Sequence, residues 1–515
     1  MKLLACLTVT LLLTALRPHS ADAQTSAAAR TARAYAAALA AGPPALHAFL
    51  DQFPKGADLH VHLEGAVYAE TFIHDAAQDG LCIDPTALKL ARPPCSAPLI
   101  AAGTLVGVLS SAQQDLFDRL VDSFSLRSFV PTPGFSGHDQ FFSSFDRFAG
   151  LGRAHEGEWV DEVASRAAAQ NQQYLEVMET PPFGHAATIA RDNPLNGDFA
   201  AYRQTLLSHG LAEEVAMSRD FARSAEAQRR EIELCGGAQA KPACTEKVRY
   251  IYQVLRGHSP EQVFAQTLLG FETVQAAMAA HDDTWVGINL VMPEDGFVAM
   301  RDYSLQMRML EYLHATYPGV HISLHAGELA LGLVPPEGLR FHIAQAVRLG
   351  HAERIGHGVD VAYEDDARRL LEEMAQRHVM VEINLTSNEG ILGIKGAEHP
   401  FQLYRAAHVP VALSTDDEGV SRTDITHEYV RAARDYELKY ADLKQLARTG
   451  MEHNFLPGPS LWAAPDAFTA PVAACRSQAL GSVPSLACKA FLDASQKAAA
   501  QWELERRLNG FESRF

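Results

Sequence analysis

The chain has 515 residues, and its hydrophobic share of 47% and charged share of 21% are ordinary for a globular protein with a sizeable core. This composition excludes intrinsic disorder, collagen-like repetition and low-complexity scaffolds. The 44 Lys and Arg residues against 62 Asp and Glu give a formal net charge of −18, which repels phosphate backbones and anionic lipids. We therefore expect no nucleic-acid or membrane partner, and a small neutral ligand.

The first 23 residues have the pattern of a secretory signal peptide. Lys2 supplies a positive start, residues 3–16 are apolar, and an A-x-A cleavage site ends at Ala23. The apolar run is too short to span a bilayer, and no later segment has the required length and apolarity. The mature chain is expected to begin near Gln24 and to be exported, either to the periplasm or outside the cell.

Short β-like runs alternate with helix-compatible stretches along the rest of the chain. Several runs are almost continuously apolar or β-branched, as parallel strands covered on both faces are. The eight runs are Ala57–Leu63, Gln173–Met178, Val248–Leu255, Trp285–Val291, His321–His325, Arg354–His357, Val379–Leu385 and Pro410–Thr415. Helical stretches between them include Tyr303–Thr316, Leu339–Leu349 and Asp365–Arg377. Eight strand-and-helix units predict an α/β fold, a (β/α)8 TIM-type barrel.

Several segments exceed a minimal barrel. The predicted divisions are a signal peptide (1–23), an Ala-rich N-terminal helical segment (24–56), the barrel (57–456) and a C-terminal helical extension (457–515). The barrel contains insertions at about 79–135 and 180–247, and the extension is expected to end in one helix near Leu486–Leu508. These additions are expected to form lids, caps or oligomer surfaces, and a homodimer is one alternative.

Six cysteines remain once the leader, with Cys6, is removed. Their grouping along the chain suggests three local disulfides, which suit an exported protein, although six cysteines allow many pairings and free buried thiols are the alternative. The suggested pairs are Cys82–Cys95, Cys235–Cys244 and Cys475–Cys488. None has C-x-x-C spacing, so a cysteine metal site or redox motif is not expected.

The most informative motif follows the N-terminal segment: the first strand contains His60 and His62, two residues apart. In a strand such residues face the same side, so the two imidazoles project together and form a natural half of a zinc site. The motif is weak alone, because a chain with 22 His contains such pairs by chance.

Three later segments strengthen this interpretation. His325 and His357 each end a β-rich run, and Asp416 and Asp417 close a third. Each residue alone is explained as well by a core histidine or a turn aspartate. All of them, however, stand at the C-terminal ends of strands, where the active sites of barrels form. Together they predict one metal-centred active site.

The segments that carry these residues resemble those of adenosine deaminases in the metal-dependent amidohydrolase superfamily, and are most similar to the secreted, growth-factor-related branch. The resemblance runs in family order from about residue 54 to 455. The matching segments are Pro54–His62, Tyr174–Glu176, His325–Glu328, Arg354–Gly358, Glu382–Asn388, His399–Pro400 and Ser414–Asp417.

The resemblance implies one Zn²⁺ per subunit and a purine nucleoside as substrate. The implied ligands are His60, His62, His325 and Asp416. Zinc would activate a water whose hydroxide attacks purine C6, releasing ammonia and leaving inosine. Glu328 would protonate N1, and His357 would orient the water and take its proton or stabilise the charge. Asp417 would share a hydrogen bond with N7.

Departures from the family pattern concern substrate recognition. Glu64 stands where members often carry the Asp that contacts the ribose 5′-hydroxyl. Met292 replaces a glycine whose N–H faces purine N3, and Glu418 replaces a proline. Glu64, Met292, Gly327 and Asp417 are the expected substrate contacts.

Other motifs narrow the reaction. The fourth run, Trp285–Val291, lacks the lysine that two-metal relatives commonly use, so one metal is favoured. The H-x-E with P-C-x-x-C and the H-E-x-x-H motifs are absent from the sequence. Adenosine and 2′-deoxyadenosine are the expected substrates, and a different 6-aminopurine nucleoside or base is the alternative. A non-catalytic extracellular binding module would have lost a ligand or Glu328, and neither is lost.

Overall fold

Eight parallel strands form one sheet in which each strand pairs with the next along the chain. They are β1 (Gly56–His62), β2 (Gln172–Glu179), β3 (Lys247–Leu255), β4 (Trp285–Val291), β5 (His321–Ala326), β6 (Arg354–His357), β7 (Met380–Ile383) and β8 (Val411–Leu413). The computed structural model describes residues 26–515; the predicted leader and Cys6 lie outside the described residues. The (β/α)8 prediction is confirmed, with strand bounds within two residues of those expected from the sequence.

The barrel closes where β8 meets β1. Val61 bridges to Asp416, and the Asp416 N–H donates to the His60 carbonyl at 2.9 Å. The Asp58 carboxylate adds a side-chain clamp: its Oδ2 accepts hydrogen bonds from the Thr415 N–H (3.1 Å) and hydroxyl (2.8 Å). These side-chain hydrogen bonds hold the segments of His60 and Asp416 together where few backbone hydrogen bonds join the two strands.

Helices cover the outside of the barrel. Those between β3 and β8 are Pro260–Ala279, Phe297–Thr316, His342–Arg348, Ala367–Arg377, Leu385–Leu392 and Phe401–Ala406, and those after β8 are Glu418–Ser421, Ile425–Asp435 and Tyr440–Glu452. Local signals start them: Ser259, for example, accepts the Gln262 N–H and is followed by Pro260 at the first helical position. The buried face of that helix includes Val263 and Leu268, which pack in the core.

The longest additions lie between the first three strands. Between β1 and β2 are helices Leu63–Ala66, Ala69–Gln78, Ser111–Ser123, Gly137–Phe148 and Glu156–Ala169, with a small antiparallel sheet of Cys82–Asp84, Lys89–Ala91 and Ile100–Ala101. Between β2 and β3 are Gly184–Asp192, Phe199–Ser208 and Leu211–Ile232. The three disulfides pair as the sequence suggested, Cys82–Cys95, Cys235–Cys244 and Cys475–Cys488.

Each terminal segment contains two helices, and only the C-terminal pair differs from the sequence expectation. The N-terminal pair, Ala27–Ala41 and Pro43–Asp51, is interrupted at Gly42, whose φ of 98° is not helical. The single C-terminal helix predicted near Leu486–Leu508 is wrong. It is Leu486–Asp493 and Gln496–Glu512, because Ser495 caps the second helix by accepting the Ala498 N–H.

Within residues 26–515 we find no helix that combines the length and the apolarity needed to cross a membrane.

Candidate active site

Four predicted ligands converge at the C-terminal end of the barrel. His60, His62, His325 and Asp416 each offer one ligand atom, and these atoms lie within 4.8 Å of one another. His62 Nε2 lies 3.1 Å from His325 Nε2 and 3.4 Å from Asp416 Oδ1. The separation of His60 Nε2 from the same oxygen is 3.5 Å. Strands β1 and β5 and the turn after β8 therefore bring distant parts of the sequence to one point.

Each of the three histidines is anchored through its Nδ1 to a side-chain oxygen. The pairs are His60 with Glu382 (2.6 Å), His62 with Gln253 (2.7 Å) and His325 with Asn289 (2.9 Å). When Nδ1 donates to such an acceptor, the lone pair of a neutral imidazole lies on Nε2. All three Nε2 atoms face the common point, and that of His60 is buried without a hydrogen-bond partner. Three imidazoles and one carboxylate fit a zinc ion.

The charge states also suit a cation. Burial lowers the pKa of His62 to about 4 and that of His325 well below its ordinary value, so both rings are neutral at pH 7. Burial alone would raise the pKa of Asp416, but the close approach of His60, at 3.5 Å, and of the neighbouring imidazoles holds it low. The neutral rings of His62 and His325 beside an ionised Asp416 are forms that a metal requires. Burial disfavours the charged form of His60, but Asp416 and Glu382 outweigh it and raise its pKa to about 10, so metal binding would release a proton from this ring.

A fully buried ion chain fixes the anchor of His60. Glu382 Oε1 pairs with Arg354 Nε at 2.7 Å and accepts the Ser323 hydroxyl at 3.0 Å. Arg354 Nη1 pairs in turn with Glu176 Oε2 at 2.6 Å, and the guanidinium lies 3.8 Å from the centre of the Phe455 ring. Since Glu382 is held from three directions, it orients the His60 ring.

Glu382→Gln is expected to weaken metal binding by about 10- to 100-fold, because the amide is a poorer partner for the imidazole and for Arg354. Competition with a chromophoric chelator measures this affinity. Glu353→Gln is the matched control: Glu353 precedes Arg354 but pairs with the surface residue His321 at 2.8 Å, so its loss should leave affinity unchanged. Equal affinity in both variants would contradict the anchoring role.

Glu328 lies beside the ligand centre, where burial favours the protonated form of its carboxyl. The Gly327 and Glu328 N–H groups donate to the Glu294 carboxylate at 3.1 and 2.8 Å, and Gly327 takes a φ of 76°, which glycine tolerates best. Burial, and then the charge of Asp416, raises the pKa of Glu328 well above its ordinary range. A neutral carboxyl near a metal centre can act as a general acid.

His357 lies beside the centre with the opposite tautomer from the ligands. The Phe401 N–H donates to His399 Nδ1 (3.1 Å), so the proton of neutral His399 is on Nε2, which donates to Asn388 Oδ1 (3.0 Å). The Asn388 amide then donates to His357 Nδ1 at 2.9 Å. Burial lowers the pKa of His357 to about 3, so the ring is neutral and its proton is on Nε2. This Nε2 lies 3.9 Å from Asp416 Oδ2.

More than half of the chain, residues 158–463, matches the protein-family model described as adenosine deaminase. The chain belongs to the adenosine deaminase family. Adenosine deaminases of Escherichia coli O7:K1 (strain IAI39 / ExPEC) and of Escherichia coli (strain SE11) are each 35% identical over 181 residues, which is 35% of this chain and 49% of the relative. The chain thus spans about half the length of the curated relatives it matches.

Solved structures share the fold at lower identity. The adenine deaminase of Arthrobacter aurescens superposes with a TM-score of 0.51 at 18% identity, covering 78% of this chain and 94% of that one. The N6-methyl-AMP deaminase of Arabidopsis thaliana gives a TM-score of 0.51 at 21% identity, with 80% and 94% covered. At these identities the likeness establishes the fold of this family member and leaves its substrate open.

A cavity of about 810 Å³ opens above the ligand centre. Helix Gly137–Phe148, which belongs to the long connection after β1, covers one side with Phe141, Phe142 and Phe145. His138 on this helix pairs with Asp295, which follows the lining residues Met292 and Pro293, Nε2 to Oδ1 at 2.9 Å. This pair links the helix to the connection that follows β4.

Three of the four substrate contacts expected from the family resemblance, Glu64, Met292 and Asp417, line the cavity, and Gly327 does not. The Cα of Gly327 faces Asp360 and Ile343, so its contribution is the turn that places Glu328.

Met292 lines the cavity, but its sulfur also accepts the Gly257 N–H at 3.4 Å. The φ of Met292 is 84°, a conformation that suits the glycine of other family members. The Gly257 position has room for the thioether only because it has no side chain, since a Cβ there would meet the Met292 methyl at 2.8 Å.

Sequence reasoning missed the residues that support the site. Gln253, Asn289 and Glu382 are polar residues within largely apolar strands of the barrel. Buried polar side chains require partners, so such interruptions were a usable signal. Glu294, Asn388 and His399 stand in the connections between strands, where residue type alone gives no comparable signal. Asn388 and His399 do lie within segments that match the family, but no role was assigned to them.

Proposed function

We propose that the chain catalyses the hydrolytic deamination of adenosine, and of 2′-deoxyadenosine, to inosine and ammonia. The observation that carries this proposal is the convergence of four ligand groups with Glu328 and His357 in one cavity of an adenosine deaminase family member. The curated relatives are named adenosine deaminases, which supports the same substrate.

We propose one zinc ion per subunit as the cofactor, held by His60, His62, His325 and Asp416. The orphaned Nε2 of His60 and the anchored tautomers of all three imidazoles support this assignment. When bound, zinc lowers the pKa of a coordinated water from about 15.7 to about 7 and so supplies a nucleophile at neutral pH.

The surrounding side chains provide the proton chemistry. Glu328, which burial favours in its neutral form, gives its proton to purine N1 as C6 becomes tetrahedral. The resulting carboxylate can then take the proton of the C6 hydroxyl and pass it to the amino group, so that the C6–N bond breaks, ammonia leaves and the C6 carbonyl of inosine forms. The Nε2–H of His357 donates a hydrogen bond to the oxygen that adds to C6 and stabilises its charge, since this tautomer has no lone pair on that side. Burial and then Asp416 raise the pKa of Asp417, so this carboxyl is able to donate to N7.

Loss of ultraviolet absorbance when the purified protein meets adenosine tests the proposal, with and without removal of metal by a chelator. Activity is expected to disappear on chelation and to return with Zn²⁺. Activity that survives complete metal removal would contradict the assigned centre. If adenosine does not react and another 6-aminopurine does, that compound is the substrate in place of adenosine.

Gly65→Ala is expected to lower kcat/KM for adenosine by about 10- to 100-fold, through loss of one substrate hydrogen bond. Gly65 lies against Asp417, and a Cβ there would stand 1.5 Å from Asp417 Oδ1, so that carboxyl must move. Steady-state kinetics and zinc content measure the effect. Gly510→Ala is the control, because a Cβ at that helical position meets nothing within 4 Å. Unchanged kinetics would show that Asp417 does not contact the substrate.

Export to the periplasm or the medium is part of the proposal. The leader pattern of residues 1–23 and three disulfides support it, since disulfides persist in oxidising compartments. The division into an N-terminal helical segment, barrel and C-terminal extension, and a homodimeric state, remain predictions.

A further inference from the structure

One wall of the cavity is rich in carboxyl groups that the proposed chemistry does not use. Glu179 is the last residue of β2, and Glu156 begins helix Glu156–Ala169. Both line the cavity together with Glu64, which follows β1. Arg153 is the only Lys or Arg among the described residues that line it.

Glu156 and Glu179 are buried, with 6% and 8% of their surfaces exposed. Glu156 Oε2 has no hydrogen-bond partner in the described structure, whereas buried polar atoms normally have one. Glu179 Oε1 accepts the N–H of its neighbour Thr180 at 3.0 Å. Burial raises the pKa of Glu156 to about 7, although Arg153 Nη1, 3.9 Å from its Oε1, opposes the shift. Burial, and then the charges of Glu156 and Glu64, raises the pKa of Glu179 well above its ordinary value. Each carboxyl can therefore donate as well as accept near neutral pH. A hydroxyl group, which also does both, is the complementary partner.

The position of this wall indicates which part of a ligand it meets. β1 and β2 are adjacent, whereas Glu328 follows β5, on the far side of an eight-stranded barrel. N1 of a purine lies on the six-membered ring, and the sugar is attached to N9 on the five-membered ring. A purine whose N1 meets Glu328 therefore directs its N9 substituent towards the β1–β2 side.

We propose that Glu156 and Glu179 determine specificity for the sugar, by hydrogen bonding to the hydroxyl groups of the ribose and by excluding a 5′-phosphate. This inference rests on the proposed function, and it extends substrate recognition beyond Glu64. A phosphate would bring two negative charges into a buried wall whose three carboxyls cannot neutralise them, because each carboxyl is either neutral or itself negative. That cation is already engaged: Arg153 Nη1 donates to the Thr180 carbonyl at 3.2 Å, and its guanidinium lies over the Phe221 ring. The wall thus selects nucleosides over nucleoside monophosphates.

The assignment is tested by removing one hydroxyl group from the substrate and one carboxyl group from the protein, first separately and then together. The substrates are adenosine, 3′-deoxyadenosine, 5′-deoxyadenosine and AMP, and the proteins are the unmodified chain, Glu156→Gln and Glu179→Gln. At least one deoxy substrate should lose about 10- to 100-fold in kcat/KM with the unmodified chain, and much less with the variant that lacks its partner. AMP should react about 10³-fold more slowly than adenosine, and the Gln variants should narrow that ratio about tenfold.

Asp220→Asn is the matched control, because this exposed carboxylate lies on the neighbouring helix Leu211–Ile232 and does not line the cavity. It should change neither ratio. Losses from hydroxyl deletion that are identical in all proteins would overturn the proposal, as would an unchanged ratio of AMP to adenosine.

Binding separates this inference from the proposed deamination. Calorimetric titration of Glu328→Gln with adenosine, adenine and AMP needs no turnover. We expect Glu328→Gln to bind adenosine more tightly than adenine or AMP. We also expect this preference to be lost when Glu156→Gln or Glu179→Gln is added to that variant. This result would support sugar recognition by the two carboxyls even if no ammonia is released. Equal binding of all three overturns it even where adenosine is deaminated.

Discussion

Glu328→Gln is expected to lower kcat for adenosine by about 10²- to 10⁴-fold without changing the zinc content. Glutamine preserves the size of the side chain and its backbone contacts to Glu294, but an amide has no proton to give to N1. Glu328 is not among the four residues whose atoms converge as ligands, so the metal should stay bound. Steady-state kinetics with metal analysis of the same sample checks both parts.

The pH dependence supplies a second test of this role. Because burial raises the pKa of Glu328, the active protonated form is fully present below that raised pKa and is lost as the pH rises through it. The kcat of the unmodified chain should therefore fall at alkaline pH. The residual kcat of Glu328→Gln should not show this alkaline decrease. Glu337→Gln, an exposed carboxylate on the following connection, is the control. A variant within threefold of the unmodified kcat would exclude Glu328 as the acid.

The sequence was sufficient to predict the barrel because each strand has a local signature. β4 and β6 are buried along their whole length, and their bounds agree with the predicted runs. The convergence of the candidate ligands was also predictable, since His62 ends β1, His325 is the last but one residue of β5 and Asp416 follows β8, and barrel geometry gathers strand ends at one face.

Other features depend on tertiary contacts that local patterns do not encode. The tautomer of each ligand histidine is set by a partner on another strand, such as Gln253 on β3 for His62 on β1. Helix Gly137–Phe148 covers the cavity only through its packing and the His138–Asp295 pair. The break at Ser495 shows the opposite case, in which a local capping signal was available and overlooked.

The hydrogen-bonded chain from His399 through Asn388 to His357 predicts the second large effect on kcat. Asn388→Asp should lower kcat by about 10²- to 10⁴-fold with little change in KM, because a carboxylate accepts where the amide donates. The proton of His357 would then move to Nδ1, and its Nε2 would present a lone pair to the metal centre in place of a donor. In serine proteases a histidine held in the wrong tautomer loses roughly 10⁴-fold in kcat.

Nitrogen-15 NMR of labelled histidine distinguishes this effect from simple damage to the fold. In the unmodified chain the His357 Nδ1 should have the shift of an unprotonated nitrogen, and in Asn388→Asp that of a protonated one. His399→Gln serves as the conservative partner, because its amide N–H can still donate to Asn388 Oδ1, which His399 Nε2 now contacts at 3.0 Å. It should retain the tautomer and most of kcat. If His357 instead acts as the base, its lone pair must face the substrate, and Asn388→Asp should raise kcat or leave it unchanged.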